Sequence, residues 1–273
     1  MKKSNIWPIG ICSWSLGENI EDVIHSMTLL ELTHIHLSLN TLIDLPSNDC
    51  LSKILKQKWV ISATMVAFPN EDYSTIEAIR NTGGILPDKY WDQNYKRVSK
   101  AIDLTAKLGV KYLEFHFGFL DLSSPMAFQK FSDRTRQLAD MAADKNVVLL
   151  METGQESALE LRDFLKKINH PSLAVNFDPG NMLLYGSGDP IEAITILGQW
   201  IKNIHCKDAI ASKQKDVWGK ETAWGCGELN TMLFLQTLKK TGFQGTLNIE
   251  RECGNARLDD IKEAMRLLGN SIA

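Results

Sequence analysis

The sequence predicts an α/β chain folded as a single (β/α)8 TIM barrel, with residues 1–273 forming one domain. Three observations predict it. A short apolar run, a turn and an amphipathic stretch recur eight times from end to end. The connections between the runs are long enough to hold helices, and crossovers of that length join parallel strands. Eight such units in about 250 residues is the size of a closed barrel. A doubly wound open sheet is the competing arrangement. Its expected glycine-rich first turn is missing: Cys12-Ser13-Trp14-Ser15-Leu16-Gly17 holds no G-x-G-x-x-G, and no P-loop occurs anywhere. No low-complexity linker or abrupt change of composition divides the chain.

The strand candidates, in order, are Ile6–Ser13, Thr33–Leu39, Trp59–Ala67, Tyr112–Phe117, Val147–Glu152, Leu173–Asp178, Ile201–Cys206 and Thr246–Glu250. Between them, Asn94–Leu108 reads as a helix because Val98, Ile102, Thr105 and Leu108 recur at helical spacing. Gly109 stops it, as a glycine beyond a last turn does. Ser157–Ile168 places Leu161, Phe164, Leu165 and Ile168 on one face, and Leu229–Lys240 and Leu258–Leu268 follow the same pattern. Asn81–Trp91 interrupts the third unit and reads as a loop, either at the active site or on the surface.

Composition narrows the function classes. The 273 residues are 44% hydrophobic and 23% charged, an ordinary globular balance. Lys plus Arg number 30 against 33 for Asp plus Glu, a net charge of −3 without the basic excess of a nucleic-acid binder. No apolar run approaches the roughly 18–20 residues of a membrane span. After Met1-Lys2-Lys3-Ser4, Pro8 and Gly10 break the apolar stretch and no small-residue cleavage site follows, so no signal peptide is expected. Cys12, Cys50, Cys206, Cys226 and Cys253 are odd in number, scattered, and form no C-x-x-C. A reduced cytoplasmic protein is expected.

The active site of such a barrel lies at the C-terminal ends of its strands. Strand five ends V-V-L-L-M-Glu152, strand six A-V-N-F-Asp178, strand seven K-N-I-His205 and strand eight L-N-I-Glu250. Charged groups at that depth are costly unless paired or bound to a cation. Three carboxylates and an imidazole form a hard, oxygen-rich set. It suits one divalent ion, with Mn²⁺ first and Mg²⁺, Co²⁺ or Zn²⁺ as alternatives. On a six-coordinate ion two positions stay open for a ketone oxygen and its neighbouring hydroxyl. One step down in the period-two alternation come Glu114, Asn176, Asn203 and Asn248. A polar layer there, where branched apolar residues are usual, is expected to orient the ligands from below.

Through L-M-E-T-G-Q-E (150–156), N-F-D-P-G-N (176–181), I-H-C-K-D (204–208), W-G-x-G-E (224–228) and L-N-I-E-R-E (247–252), the chain resembles the xylose isomerase-like barrel superfamily. Within it the chain most resembles the sugar phosphate isomerase/epimerase branch, ketose 3-epimerases included, over essentially its whole length. The resemblance implies a sugar isomerase or epimerase. The metal polarises a carbonyl, one ligand glutamate takes a proton from the adjacent carbon to give an enediolate, and the other returns a proton. Glu152 and Glu250 are assigned that catalytic pair, and Asp178 and His205 serve as ligands only. Ketose 3-epimerases usually carry a histidine where this chain has Asn181. They also carry an arginine about six residues beyond the strand-seven histidine, where 207–211 reads K-D-A-I-A. Asn181, Lys207 or Arg251 would then meet the substrate, and a modified sugar is expected instead of a free ketohexose.

Related barrels keep other readings open. A lyase acting on a keto-inositol or 3-keto-glycoside would share the first proton abstraction. An endonuclease-IV-like repair enzyme needs three zinc ions, and beyond His116 too few histidines remain. A non-enzymatic barrel would need four vestigial ligands. His34-x-His36 lacks the partners of an amidohydrolase metal pair, so His36 reads as an inner-layer residue. His116, in E-F-H-F-G-F, faces inward by parity and is a candidate substrate contact. Trp14, with Trp91, Trp218 and Trp224, would wall a partly apolar sugar site. Asp208 reads as a turn support, Cys206 as a small core residue, and Gly225-x-Gly227 as a close approach or a tight turn. The expected partner is a small-molecule sugar substrate, with neither nucleic acid nor membrane. A homo-oligomer is compatible with the helix faces.

Overall fold

The computed structural model describes residues 6–46, 48–120 and 124–270. The basic start Met1–Ser4 lies outside them. Among the described residues ten strands occur in chain order: β1 (Ile9–Cys12), β2 (His34–Ser38), β3 (Val60–Met65), β4 (Tyr112–Phe115), β5 (Val148–Glu152), β6 (Leu173–Phe177), β7 (Ile201–Cys206), β8 (Asp208–Ile210), β9 (Lys220–Thr222) and β10 (Leu247–Ile249). Eight of them close a barrel in the order β1-β10-β7-β6-β5-β4-β3-β2, every neighbour parallel. All eight predicted runs are there, β7 with the expected bounds and the others trimmed at one or both ends. β8 and β9 form an antiparallel hairpin beyond β7 that the sequence pattern did not announce. The helices are α1 (Ile20–Leu29), α2 (Asn40–Asp44), α3 (Asn48–Lys56), α4 (Ile76–Thr82), α5 (Asp88–Lys107), α6 (Pro125–Asp144), α7 (Ala158–Ile168), α8 (Pro179–Tyr185), α9 (Pro190–Leu197), α10 (Thr231–Lys240) and α11 (Arg257–Asn270).

The helix expected over Asn94–Leu108 starts earlier, at Asp88. Its first turns hide their inward face because that face is polar. Asn94 is buried and donates to Gly84 O at 2.8 Å, and Arg97 reaches Ala67 O at 2.6 Å and Asp44 Oδ2 at 2.8 Å. The loop expected over Asn81–Trp91 dissolves accordingly. Its ends belong to α4 and α5, and the link 83–87 packs on the chain after β4. A Cβ on Gly84, at φ +74°, would sit 2.2 Å from Phe117 O. None of the segment lines the main cavity. α7 opens as its sequence predicts: the Ser157 hydroxyl and the Glu160 carboxylate form a reciprocal capping box. α10 begins at Thr231, beyond the expected Leu229, because the Asn230 side chain caps it by accepting from Leu233 N at 3.1 Å.

The main core lies between the strands and the helices, with Ile11, Ile35, Phe115, Phe177 and Phe234 fully buried. Inside the barrel Ala63, Leu150 and Ala174 form a small apolar plug. Asn176, Asn203 and Asn248 lie one period-two step below Asp178, His205 and Glu250, and Glu114 one step below His116, whereas the residue one step below Glu152 is Leu150 of the plug, and Glu152 pairs with Asn176 in the β5–β6 ladder. The ladder shifts register at Ile35/His36 and at Val175/Asn176. Such irregularities re-aim side chains, and both occur at polar inner-layer residues.

Candidate active site

Glu152 ends β5, while Asp178 and Glu250 each lie one residue beyond β6 and β10, and His205 lies in the last turn of β7. Each is buried, and their ligand atoms all fall within 4.8 Å of one another. His205 Nδ1 faces all three carboxylates, 2.8 Å from Glu152 Oε1, 3.2 Å from Glu250 Oε2 and 3.5 Å from Asp178 Oδ2. Its other nitrogen, Nε2, is 2.9 Å from His36 Nδ1. His36 is thus an inner-layer residue, and its contact fixes the ring that presents Nδ1 to the cluster.

Asp178 and Glu250 each have one oxygen committed and one turned to the cluster, whereas both oxygens of Glu152 are engaged. Asp178 Oδ1 accepts from Asn181 N at 2.9 Å and so caps α8, leaving Oδ2 without a hydrogen-bond partner among the described residues. Glu250 Oε1 accepts from Trp14 Nε1 at 2.6 Å, and its Oε2 likewise lacks a well-aligned donor. Glu152 Oε1 accepts from Asn176 Nδ2 at 2.9 Å, and Oε2 pairs with His116 Nε2. Buried oxygens left unpaired are costly. Three carboxylates around one imidazole, with two orphan oxygens pointing inward, fit a single divalent cation.

The tier beneath is one hydrogen-bonded chain. Asn248 donates to Asn203 Oδ1 at 2.8 Å, Asn203 to Asn176 Oδ1 at 2.8 Å, and Asn176 to Glu152. Ser62 Oγ donates to Asn248 Oδ1 at 3.1 Å. Every amide oxygen in the row accepts from its neighbour, so each amide is oriented by the one before it.

Charge and burial set the protonation states. Burial works against ionisation of Glu152, but His116 overrides it and holds the carboxyl down to about 2. At Glu250, burial is likewise outweighed, by Lys207 and His205, and the group lies well below its usual range. At Asp178 burial wins over His205 and Lys207 and pushes the carboxyl up to about 7. His116 is pulled down by burial but raised more by Glu152, Glu71 and Glu114, to about 10. Lys207 Nζ lies 2.5 Å from Glu252 Oε2 and 3.3 Å from Glu250 Oε2.

A cavity of 590 Å³ opens over this cluster, and Glu152, Glu250, His116, Lys207, Trp14 and Asn181 all line it. Arg251 does not. Its guanidinium is bound by Glu221 Oε1 at 2.5 Å and Asp260 Oδ2 at 2.9 Å, so the expected substrate contact is a strut of the rim. Of the four loop tryptophans, Trp14 and Trp218 reach the cavity. Trp91 packs on Tyr95 under the Arg134 guanidinium, and Trp224 is buried against Phe234. Cys206 is a core residue, fully buried. Asp208 supports a turn: its carboxylate accepts four backbone N–H groups, from Ala209, Gly225, Gly227 and Leu229, at 2.8–3.2 Å. A Cβ on Gly227 would lie 2.2 Å from Asp208 Oδ1, so that glycine serves the Asp208 carboxylate.

Sequence reading missed Asn40, Glu71, Tyr73, Tyr185, Glu221 and Glu252 on the cavity wall. Tyr73 OH contacts His116 Nδ1, extending the Glu152–His116 pair toward solvent. Glu252 shares the parity of Glu250, and Tyr185 follows Asn181 by one helical turn, so both had a readable signal. Glu71 and Tyr73 sit in a loop with no periodicity to mark them.

Comparison with known proteins accords with this geometry. A xylose isomerase-like TIM barrel family model matches residues 64–270. No curated protein matches the chain by sequence. Among solved structures, a xylose isomerase domain protein from Planctomyces limnophilus is 29% identical, with 96% of each chain covered and a TM-score of 0.85. A probable 3-DHS dehydratase from Bacillus anthracis is 16% identical, covering 96% of this chain and 99% of its own, with a TM-score of 0.72. A 3-keto-D-glucoside 4-epimerase from E. coli is 14% identical, covering 95% and 99%, with a TM-score of 0.70. The last two share the fold alone. With its family model spanning most of the barrel, the chain belongs to the xylose isomerase-like TIM barrel family.

Proposed function

We propose that the protein is a divalent-metal-dependent sugar isomerase or epimerase acting on a keto sugar or a derivative of one. The observation that carries this reading is the pair Glu152 and Glu250. They come from the ends of β5 and β10, both held ionised, both lining one cavity, with His205 Nδ1 within 3.2 Å of an oxygen of each. Glu152, Asp178, His205 and Glu250 would hold the metal, Mn²⁺ first. When bound, the ion supplies Lewis-acid polarisation of the substrate carbonyl.

The chain's own groups do the proton work. One glutamate takes the proton from the carbon beside the carbonyl. The C–H electron pair becomes the new C=C bond, and the oxygen takes the charge of an enediolate. The other carboxylate, ionised at rest, relays a proton from the cation beside it (His116 at Glu152, Lys207 at Glu250) to the opposite face, or to the neighbouring carbon. Trp14 fixes Glu250 through Oε1, and Asn176 fixes Glu152 through its own Oε1, so neither carboxylate swings. Lys207 balances charge on the Glu250 side and His116 on the Glu152 side. His116 also favours a second reading. As a protonated donor in the cavity it would serve a leaving group, converting the same first step into an elimination by a keto-inositol or 3-keto-glycoside lyase. On the same proposal the protein works as one barrel domain in the reduced cytoplasm, on a small sugar and not on nucleic acid. No helix among the described residues is long and apolar enough to cross a membrane.

The test is solvent exchange. Metal-supplemented protein is incubated with a panel of keto sugars in deuterated water, and mass spectrometry follows label entering beside the carbonyl. Glu152→Gln and Glu250→Gln are each expected to slow exchange by about 10²–10⁴-fold. Loss of water or aglycone marks the lyase reading. Exchange unaffected by either variant would overturn both.

A further inference from the structure

The cavity is richer in carboxylates than one metal site requires. Six glutamates line it, three of them (Glu71, Glu221 and Glu252) outside the strand-end ligands and the tier below. Lys207 is the single lysine or arginine among the described lining residues, and Glu252 and Glu250 already occupy it. Arg251, the nearest guanidinium in sequence, is tied to Glu221 and Asp260. A phosphate monoester brings about two negative charges and needs arginine, lysine or backbone donors to hold it. None of the side chains here is free to do so, and Glu71 and Glu252 would repel it.

The remaining wall is apolar. Met65, Val66 and Ala67 at the end of β3 face the cavity, as do Leu184 and Tyr185 at the end of α8. Trp218, in the hairpin between β8 and β9, sits edge-on to Tyr185 with ring centroids 4.7 Å apart. The hairpin is pinned where it meets α8: Gly219 N donates to Leu184 O at 3.1 Å, and a Cβ on Gly219 would lie 2.6 Å from Ile210 O. This is a built surface, held in place before any ligand arrives. At 590 Å³ the cavity is of the size that encloses ligands well beyond a single sugar ring.

We infer that the substrate is an uncharged glycoside whose ring carries the ketone the proposed reaction needs: the ring lies over the Glu152–Glu250 floor, with an apolar group of aromatic size on its anomeric oxygen resting against Leu184, Tyr185 and Trp218. This rests on the reading of the cavity as a sugar site and names the class that site selects. Free ketoses leave the apolar wall unfilled, and sugar phosphates meet its carboxylates.

Calorimetric titration of the full-length, Mn²⁺-supplemented protein tests it with three probes: phenyl β-glucoside, methyl β-glucoside and glucose 6-phosphate. The phenyl glycoside is expected to bind about 10–100-fold tighter than the methyl glycoside, through the buried ring. Glucose 6-phosphate is expected to bind at least about tenfold more weakly than the methyl glycoside. Trp218→Ala should remove most of the phenyl advantage over the methyl glycoside. Equal affinity for the two glycosides, or tightest binding of the phosphate, overturns the inference in the wild-type protein alone, whatever the variant does. If no sugar binds, the sugar-site reading falls with it. If the phenyl preference appears but no keto sugar exchanges its proton, the proposed reaction fails while the specificity of the cavity stands.

Discussion

Replacing Asn176 with leucine cuts the asparagine chain at the link that touches Glu152. The side chain is fully buried and of similar volume, so the change removes polar contacts more than packing. Two bonds of fixed direction go, Asn176 Nδ2 to Glu152 Oε1 at 2.9 Å and Asn203 Nδ2 to Asn176 Oδ1 at 2.8 Å, together with the contacts of Nδ2 to His205 Nδ1 and Nε2 at 3.1 and 3.2 Å. The first is charge-assisted, worth about 1.5–3 kcal/mol, and the second leaves a buried amide donor short of an acceptor at about 1–3 kcal/mol. Asn203 keeps a contact to His36 Nδ1 at 3.2 Å, which offsets part of the second cost. The expected loss of unfolding free energy is about 2–5 kcal/mol, read by urea denaturation of the metal-free protein. Metal affinity should fall as well, by about 10–100-fold in a calorimetric titration, because the carboxylate loses the donor that aims it. Asn248→Leu sits two links away, and its effect on metal affinity should be no more than a few-fold. If Asn176→Leu bound metal within about twofold of wild type, or Asn248→Leu weakened it equally, the chain would be a packing feature with no bearing on the ligands.

Three further outcomes follow from the same geometry. Metal must displace the proton that burial keeps on Asp178 up to about pH 7 and the one that the surrounding acidic groups hold on His205 well above its ordinary range, so metal affinity measured across pH 5–8 should rise by roughly a hundredfold per pH unit below 7 and by roughly tenfold per unit above it. A flat profile would refute that assignment. Glu156 is buried and its carboxyl is pushed up to about 8 from an ordinary 4.5, so its protonated form is the one the fold holds. Its contribution to stability is complete below pH 4.5 and is lost as pH rises through about 8; Glu156→Gln should therefore stabilise the protein at pH 9, by at most about 5 kcal/mol, with no gain at pH 4, by chemical denaturation. Gly227→Ala should cost about 1–3 kcal/mol and expose 223–229 to limited proteolysis, since its Cβ has no room beside Asp208 Oδ1 and Ala209 O.

The barrel was legible because each strand is a short run of branched apolar residues, and parallel strands buried on both faces give just such runs. The cluster Glu152, Asp178, His205 and Glu250 was legible because each stands at or beside the end of its run at the barrel mouth, and the asparagine row followed from parity alone. What escaped had no periodicity to betray it. The start of α5 hides its inner face behind Asn94 and Arg97, whose partners Gly84, Ala67 and Asp44 are distant in sequence. The β8–β9 hairpin is three residues a side, too short to alternate visibly. Arg251 illustrates the opposite error: adjacency to Glu250 suggested a substrate contact, yet neighbouring residues at a strand end point to opposite sides. Its partners, Glu221 and Asp260, come from β9 and α11.

Asp178 serves two masters. One oxygen caps α8 and the other faces the cation cluster, so the first turn of that helix and the metal draw on the same carboxylate. α8 in turn carries Asn181, Leu184 and Tyr185 into the cavity. If the proposed cation binds there, it is expected to tighten a wall of the proposed substrate pocket without touching it. By reciprocity, a ligand resting on that wall would then raise the affinity for metal by the same factor. The two binding constants form one thermodynamic cycle, and protein freed of its cation is expected to understate its affinity for sugar even where the sugar meets no metal.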